Sequence, residues 1–250
     1  MTNNKIYFIA NWKMYGTLNS VQSLKNVIKL KNKQIYNKAK IIYCPPYTLL
    51  ELFSKSIKKT KLELGAQNCH FHSEYGAFTG SVNSKMIKNV GCKYVILGHS
   101  ENRISGDSDK IINLKVKSSI KENLKIIFCI GETLKERKKN KTNLILKKQL
   151  INGLRNIKNK KNIIFAYEPV WSIGTGIIPK SNDLENQILQ IKHFLKRKFR
   201  IKHPTVLYGG SVSPKNISAL NQISSINGFL IGGASQNSKK FIDIIKKTIN

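Results

Sequence analysis

Tyr94-Val95-Ile96-Leu97-Gly98-His99-Ser100-Glu101 is the stretch whose reading decides the fold. Four apolar residues run without polar alternation, which predicts a strand buried on both faces, as in a covered parallel sheet. A glycine then ends the run, and polar, titratable residues come directly after it. The same order recurs in both directions along the chain. Continuous apolar runs of strand type fall at residues 7–10, 41–44, 62–66, 126–130, 163–167, 206–208 and 229–231. Amphipathic stretches with helical spacing lie between them, for example 18–30, 109–120, 184–195 and 239–249. Glycines mark the ends of the runs at Gly98, Gly131, Gly174, Gly209, Gly210, Gly232 and Gly233.

Eight strand-then-helix units predict an α/β protein whose parallel sheet closes into a (β/α)8 barrel, with its working loops after the strands. A doubly wound open sheet shares this periodicity and stays open at this point. Ser213-Pro214 predicts a helix start, with a hydroxyl at the N-cap and proline in the first turn. Ser235 is the expected cap of the last helix. No linker, low-complexity tract or composition break interrupts residues 1–250, so one catalytic domain is expected.

Lysine and arginine total 44 against 13 acidic residues, a net charge of +31. Such a balance invites a nucleic-acid partner, because neutralised phosphates supply most non-specific affinity. The lysines, however, are spread over helical segments at 25–33, 138–148 and 192–202, and no recognition motif gathers them. A solvated basic surface is expected, with no specific nucleic acid; a basic nucleic-acid-binding or scaffold protein that keeps the barrel is the alternative. No stretch approaches the roughly 20 apolar residues of a membrane helix, and the amino terminus lacks a signal-peptide core. No membrane partner and a cytoplasmic location are therefore expected. Cys44, Cys69, Cys92 and Cys129 form no CxxC pair and no zinc spacing, and they read as reduced, mostly buried thiols. His70-Phe71-His72 alternates as metal ligands on a strand do, but it lies beyond the third run, and His193 and His203 are poorly placed to join it. No metal is expected.

Chemistry concentrates in the loops after the runs. Asn11-Trp12-Lys13 comes after the first, Gly98-His99-Ser100-Glu101 after the fourth, and Glu168-Pro-Val-Trp-Ser-Ile-Gly-Thr-Gly176 after the sixth. Tyr208-Gly-Gly-Ser-Val212 and Ile231-Gly-Gly-Ala-Ser235 close the last two. Singly, each has an ordinary explanation: a structural histidine, a glutamate at a helix boundary, glycines for tight turns. In a barrel they converge on one mouth. Amides of Ser211, Gly232 and Gly233, with a helix N-terminus just beyond, suit a phosphate dianion. A carboxylate beside an imidazole and a lysine is a proton-transfer set for chemistry next to a carbonyl. Neither GxxxxGK[ST] nor GxGxxG occurs, which weighs against nucleotide chemistry. Residues 169–176 read as a mobile lid, stiffened at entry by proline and tryptophan and freed at exit by Gly174 and Gly176; its closure expels water.

Ala10-Asn-Trp-Lys-Met14, Gly65-Ala-Gln-Asn68, Gly76-Ala-Phe-Thr-Gly80 and Tyr94 to Glu101 resemble, in order, the triosephosphate isomerase family. So do Cys129-Ile-Gly-Glu-Thr-Leu134, Ala166-Tyr-Glu-Pro-Val-Trp171, Ile173-Gly-Thr-Gly176, Tyr208-Gly-Gly-Ser-Val212 and Gly228-Phe-Leu-Ile-Gly-Gly-Ala-Ser235. The resemblance covers essentially the whole chain. It implies a single-domain TIM barrel, a homodimer and the interconversion of dihydroxyacetone phosphate and D-glyceraldehyde 3-phosphate through an enediolate, a step of glycolysis and gluconeogenesis. No metal or organic cofactor is implied. Glu168 would be the base that moves a proton between C1 and C2, and His99, as neutral imidazole, would polarise the carbonyl; that pairing is the family's own pattern. Lys13 would supply positive charge, Asn11 would bond the substrate, and Glu101 would hold Lys13. Gly174, Ser211, Gly232 and Gly233 would bind phosphate through backbone amides. Thr79 would reach the partner subunit's site. Departures from the pattern are Asn102 for arginine, Ser81 for glutamate, Asn227 for aspartate, Tyr15 for asparagine, Gln236 for leucine, and Ile177-Ile178-Pro179 where a lysine usually begins the lid's exit. None removes a catalytic group.

Overall fold

The computed structural model describes residues 5–249. Eight strands run in chain order: β1 (Ile6–Asn11), β2 (Ala39–Cys44), β3 (Glu63–Ala66), β4 (Tyr94–Leu97), β5 (Lys125–Ile130), β6 (Ile163–Tyr167), β7 (Val206–Tyr208) and β8 (Gly228–Ile231). Every neighbouring pair is parallel, and β1 pairs with β8, so the sheet closes into a barrel in simple sequential order. The open doubly wound sheet is thereby excluded.

The unbroken apolar runs now have a cause. Successive strand residues face opposite sides, and in a barrel both sides are buried. Ile9, Ile42, Cys44, Ile96, Ile127, Cys129, Ile164, Ala166, Leu207 and Leu230 belong to a cluster inside the barrel. Their strand neighbours Phe8, Ile41, Tyr43, Val95, Phe128 and Phe165 belong to a second cluster, shared with the surrounding helices. The period of two also aims the mouth. Two residues beyond inward-facing Ile9, Ala166, Leu207 and Leu230 stand Asn11, Glu168, Gly209 and Gly232.

Helices fill the outer layer. The 18–30 stretch divides into a 3-10 segment (Leu18–Ser23) and an α-helix (Leu24–Lys31). Asp109–Lys121 starts at Ser108, whose hydroxyl accepts the Ile111 N–H at 3.3 Å. Ser181–Phe199 extends the expected 184–195 helix at both ends. Ser238–Ile249 buries Phe241, Ile244 and Ile245 along one stripe, each worth about 1.5–3 kcal/mol of burial.

Two expected caps are corrected. The regular helix after β7 starts at Ile217, not after Ser213-Pro214. The Ser213 hydroxyl still accepts the Lys215 N–H at 3.3 Å, and the Ser213 N–H donates to Asn216 Oδ1 at 2.8 Å, so the capping bonds form one turn ahead of the helix. Ser235 does not cap the last helix: its hydroxyl turns back to Gly232 O at 2.7 Å inside a 3-10 turn (Gly233–Gln236). Asn237 takes that role, accepting the Lys240 N–H at 3.1 Å. All four cysteines are free and buried, two of them in the barrel interior. Among the described residues no helix is long and apolar enough to cross a membrane.

Candidate active site

The strand-end groups meet at the carboxyl end of the barrel. Asn11 is buried where β1 ends, and its Oδ1 accepts the Lys13 N–H at 3.2 Å. Lys13 has φ +56°, the left-handed region that a residue with a side chain enters only under constraint. Several bonds impose it: Gln67 Nε2 donates to Lys13 O at 2.9 Å and to Cys44 O at 2.8 Å. Next door, Trp12 is anchored through its indole to Ser235 O at 3.1 Å, and Gln236 bonds Trp12 O at 2.9 Å. The Lys13 ammonium thus reaches over the mouth, 2.5 Å from Glu101 Oε1.

Glu101 rides the short helix Ser100–Ile104, entered through His99. His99 Nδ1 accepts the Glu101 N–H at 3.3 Å. A nitrogen that accepts carries no proton, so the neutral ring holds its proton on Nε2. That nitrogen points into the mouth, 3.4 Å from Glu168 Oε1. Arg103 fastens this corner, donating to Gly98 O at 2.8 Å and Cys129 O at 3.3 Å while pairing with Asp109 at 2.7 Å.

Glu168 is almost completely buried. Its Oε2 accepts the Ser100 N–H at 3.3 Å, and its Oε1 has no hydrogen-bond partner. Burial pushes the carboxyl above the usual carboxylate range; His99, the Cys129 thiol, the Ser100 amide and Lys13 pull it back only in part. Glycines make room for it. A Cβ on Gly131 would stand 1.7 Å from Glu168 O, and one on Gly209 would stand 2.8 Å from Glu168 Cγ. A desolvated carboxylate oxygen with no partner, beside an Nε2–H, can take a proton from a bound carbon acid while the imidazole steadies the oxygen next to it.

The floor is glycine. Gly232 and Gly233 lead into the 3-10 turn after β8, with Lys13 Cε 3.3 Å from where a Gly232 Cβ would be. Asn11, Lys13, His99, Glu168, Gly174, Ser211, Gly232 and Gly233 all line one cleft of about 680 Å³. A larger groove of about 860 Å³ between the outer helices Thr142–Gly153 and Ser181–Phe199 is lined by none of them. Glu101 reaches the cleft through Lys13. Thr79 lies on an exposed turn and is not part of its lining. The Ser211 N–H, expected to face a phosphate, donates instead to Ser172 Oγ at 3.3 Å.

Over the cleft, residues 169–176 carry a 3-10 turn (Val170–Ser172) and two left-handed glycines, Gly174 at φ +73° and Gly176 at φ +78°. Trp171 donates its indole N–H to Glu132 Oε1 at 3.0 Å, and the Tyr167 hydroxyl donates to the same oxygen at 3.2 Å. Burial raises the Glu132 carboxyl pKa, against those bonds and the Arg137 charge. Sequence reasoning assigned no role to Glu132, Gln67 or Ser172. Glu132 had one signal, a carboxylate two residues past the end of β5, but a polar residue there is also what any loop shows. His70 stacks on Phe71, and His72 lies tilted against Phe78, and among the described residues no three metal-ligating side chains converge.

The family model described as "Triosephosphate isomerase" matches residues 6–248. The chain is 40% identical over 245 residues to the triosephosphate isomerase of Thermodesulfovibrio yellowstonii, covering 97% of this chain and 99% of that protein. It is 38% identical over 242 residues to that of Alkaliphilus oremlandii, covering 94% and 96%. A crystal structure of triosephosphate isomerase from Bartonella henselae superposes with a TM-score of 0.88 at 35% identity, covering 97% of this chain and 98% of the other.

Proposed function

The chain belongs to the triosephosphate isomerase family, and from that premise we propose how its strand-end residues divide the work among themselves. It is an aldose–ketose isomerase that interconverts dihydroxyacetone phosphate and D-glyceraldehyde 3-phosphate. Glu168 removes a proton from the carbon beside the carbonyl. The C–H electron pair forms the enediolate double bond, and charge moves to the carbonyl oxygen. His99 gives its Nε2 proton to that oxygen and recovers one from the hydroxyl on the neighbouring carbon, so the imidazole returns to its starting form, while Lys13 stabilises the charge that develops. Return of the proton from Glu168 to the neighbouring carbon completes the exchange, so the carboxylate is regenerated and no external redox partner is consumed.

The remaining residues position. Asn11 holds Lys13 by its backbone and faces the substrate; Glu101 holds the Lys13 ammonium. Amides of Gly174, Ser211, Gly232 and Gly233 receive the phosphate, where glycine lets the backbone approach closely. Closure of residues 169–176 then excludes water from the enediolate. One observation carries the reading: the buried, unpartnered Glu168 Oε1 lies 3.4 Å from His99 Nε2 in the cleft that Gly232 and Gly233 floor.

The chain acts as a single catalytic domain and as a homodimer, with Thr79 reaching toward the partner's site. Support comes from apolar groups exposed around the mouth and third loop, including Met14 at 99% and Tyr75 at 67% relative exposure. A cytoplasmic location fits four free thiols.

The test is turnover of D-glyceraldehyde 3-phosphate, coupled to NADH oxidation by added glycerol-3-phosphate dehydrogenase. Wild type should turn over rapidly, and Glu168→Ala should lose about 10²- to 10⁴-fold. A folded Glu168→Ala that keeps wild-type turnover removes Glu168 as the base.

A further inference from the structure

The Ser172 side chain is fully buried, while Gly174, Thr175 and Gly176 just beyond it are exposed. Its hydroxyl stands at a junction. It donates to Ile177 O at 2.6 Å, lies 3.0 Å from the Tyr208 hydroxyl, and accepts the Ser211 N–H at 3.3 Å. A hydroxyl has one proton and two lone pairs. With the proton on Ile177 O, Tyr208 must be the donor in its pair with Ser172, and the Ser211 N–H takes the remaining lone pair. Burial keeps the Tyr208 phenol protonated, its pKa raised to about 12, in keeping with that donor role. Nothing is left over on the Ser172 oxygen. Space is as tight as the bonding: a Cβ on Gly210 would stand 2.7 Å from Ser172 Oγ and 2.3 Å from the Tyr208 hydroxyl.

One N–H carries one proton, so the Ser211 amide cannot serve Ser172 and a phosphate at full strength together. We propose that Ser172 is a positioning residue, a latch that holds the lid where it stands and withholds the Ser211 amide until a phosphate dianion takes it. The inference rests on the reading of Ser211 as a phosphate donor. A dianion is the stronger acceptor, since a charge-assisted bond is shorter and roughly twice as strong as a neutral one. Arrival of the phosphate therefore breaks the Ser211–Ser172 bond and loosens the hydroxyl that also ties down Ile177, where the lid ends. Phosphate binding and lid release become one event, because a single oxygen holds both.

Ser172→Ala removes the competitor without adding volume. Protein labelled with 15N-serine would be titrated with inorganic phosphate and the Ser211 amide resonance tracked. That resonance should move in wild type and variant alike, with phosphate binding about three- to tenfold tighter in the variant, the worth of one hydrogen bond no longer in competition. KM for D-glyceraldehyde 3-phosphate should fall with it; loss of packing alone would not tighten binding. A Ser211 resonance that ignores phosphate in both proteins overturns the phosphate-donor reading, and the latch with it. A resonance that moves, with phosphate affinity unchanged or weaker in Ser172→Ala, overturns the latch alone.

Discussion

The indole N–H of Trp171 donates to Glu132 Oε1 at 3.0 Å, which ties the lid to a carboxylate rooted at the end of β5. The partner oxygen Oε2 is buried with no hydrogen bond, so Glu132 is held at a cost.

That cost depends on pH. Burial raises the folded pKa of Glu132 above its ordinary value of about 4.3. A raised acid favours the folded state most below the ordinary pKa, and this contribution is lost as pH climbs through the folded value. Glu132→Gln keeps an acceptor for Trp171 and Tyr167 and cannot ionise. Its denaturant midpoint, compared with wild type, should improve from pH 4 to pH 7. A difference that does not change with pH would show that Glu132 ionises freely in the fold.

Glu168 obeys the same sign with a kinetic reading. Its pKa is raised by burial, so the acidic limb of kcat/KM should lie above the usual carboxylate range. Glu168→Asp withdraws the carboxylate by one methylene; a misplacement near 1 Å should lower kcat by about 10²-fold and leave KM nearly unchanged. A raised KM with kcat unchanged would assign Glu168 to substrate binding instead.

Two glycines test how tightly Glu168 is housed. In Gly131→Ala the new Cβ falls 1.7 Å from Glu168 O, so backbone must move; a stability loss of about 1–3 kcal/mol is expected, with kcat falling too. In Gly209→Ala it meets Glu168 Cγ at 2.8 Å, a side-chain atom that can swing. The second variant should therefore lose kcat out of proportion to its melting temperature. Thermal melts beside steady-state kinetics separate the two.

Caps give a plain stability contrast. Asn237→Ala should cost about 1 kcal/mol through the lost bond to the Lys240 N–H. If Ser235 were the cap, Asn237→Ala would leave the melting temperature unmoved. Calorimetry on the single variant decides it.

Much of this molecule was legible as text. Eight continuous apolar runs sit within one or two residues of the strands, because a closed sheet wrapped in helices buries both faces and erases the alternation that a half-exposed strand would show. The groups that line the cleft were legible for a related reason: they come directly after the apolar runs, and strand ends open onto the mouth. Helix starts were read less well. Ser213, Ser235 and Asn237 all suit a cap, and local chemistry does not say which will turn toward the helix.

The sequence by itself determined the eight strand-then-helix units and the residue types that follow each strand, since period and residue type are local properties, while closure of the sheet into a barrel in sequential order came from the structure. Only the tertiary structure decided the pairings between those residues. Glu168 at 3.4 Å from His99, Trp171 on Glu132, and Ser172 bridging Ile177, Tyr208 and Ser211 join residues that are distant in the chain or folded back across a turn. A hydrogen bond is directional and reaches about 3 Å, so it depends on how the strands stagger around the closed barrel, which no run of letters states.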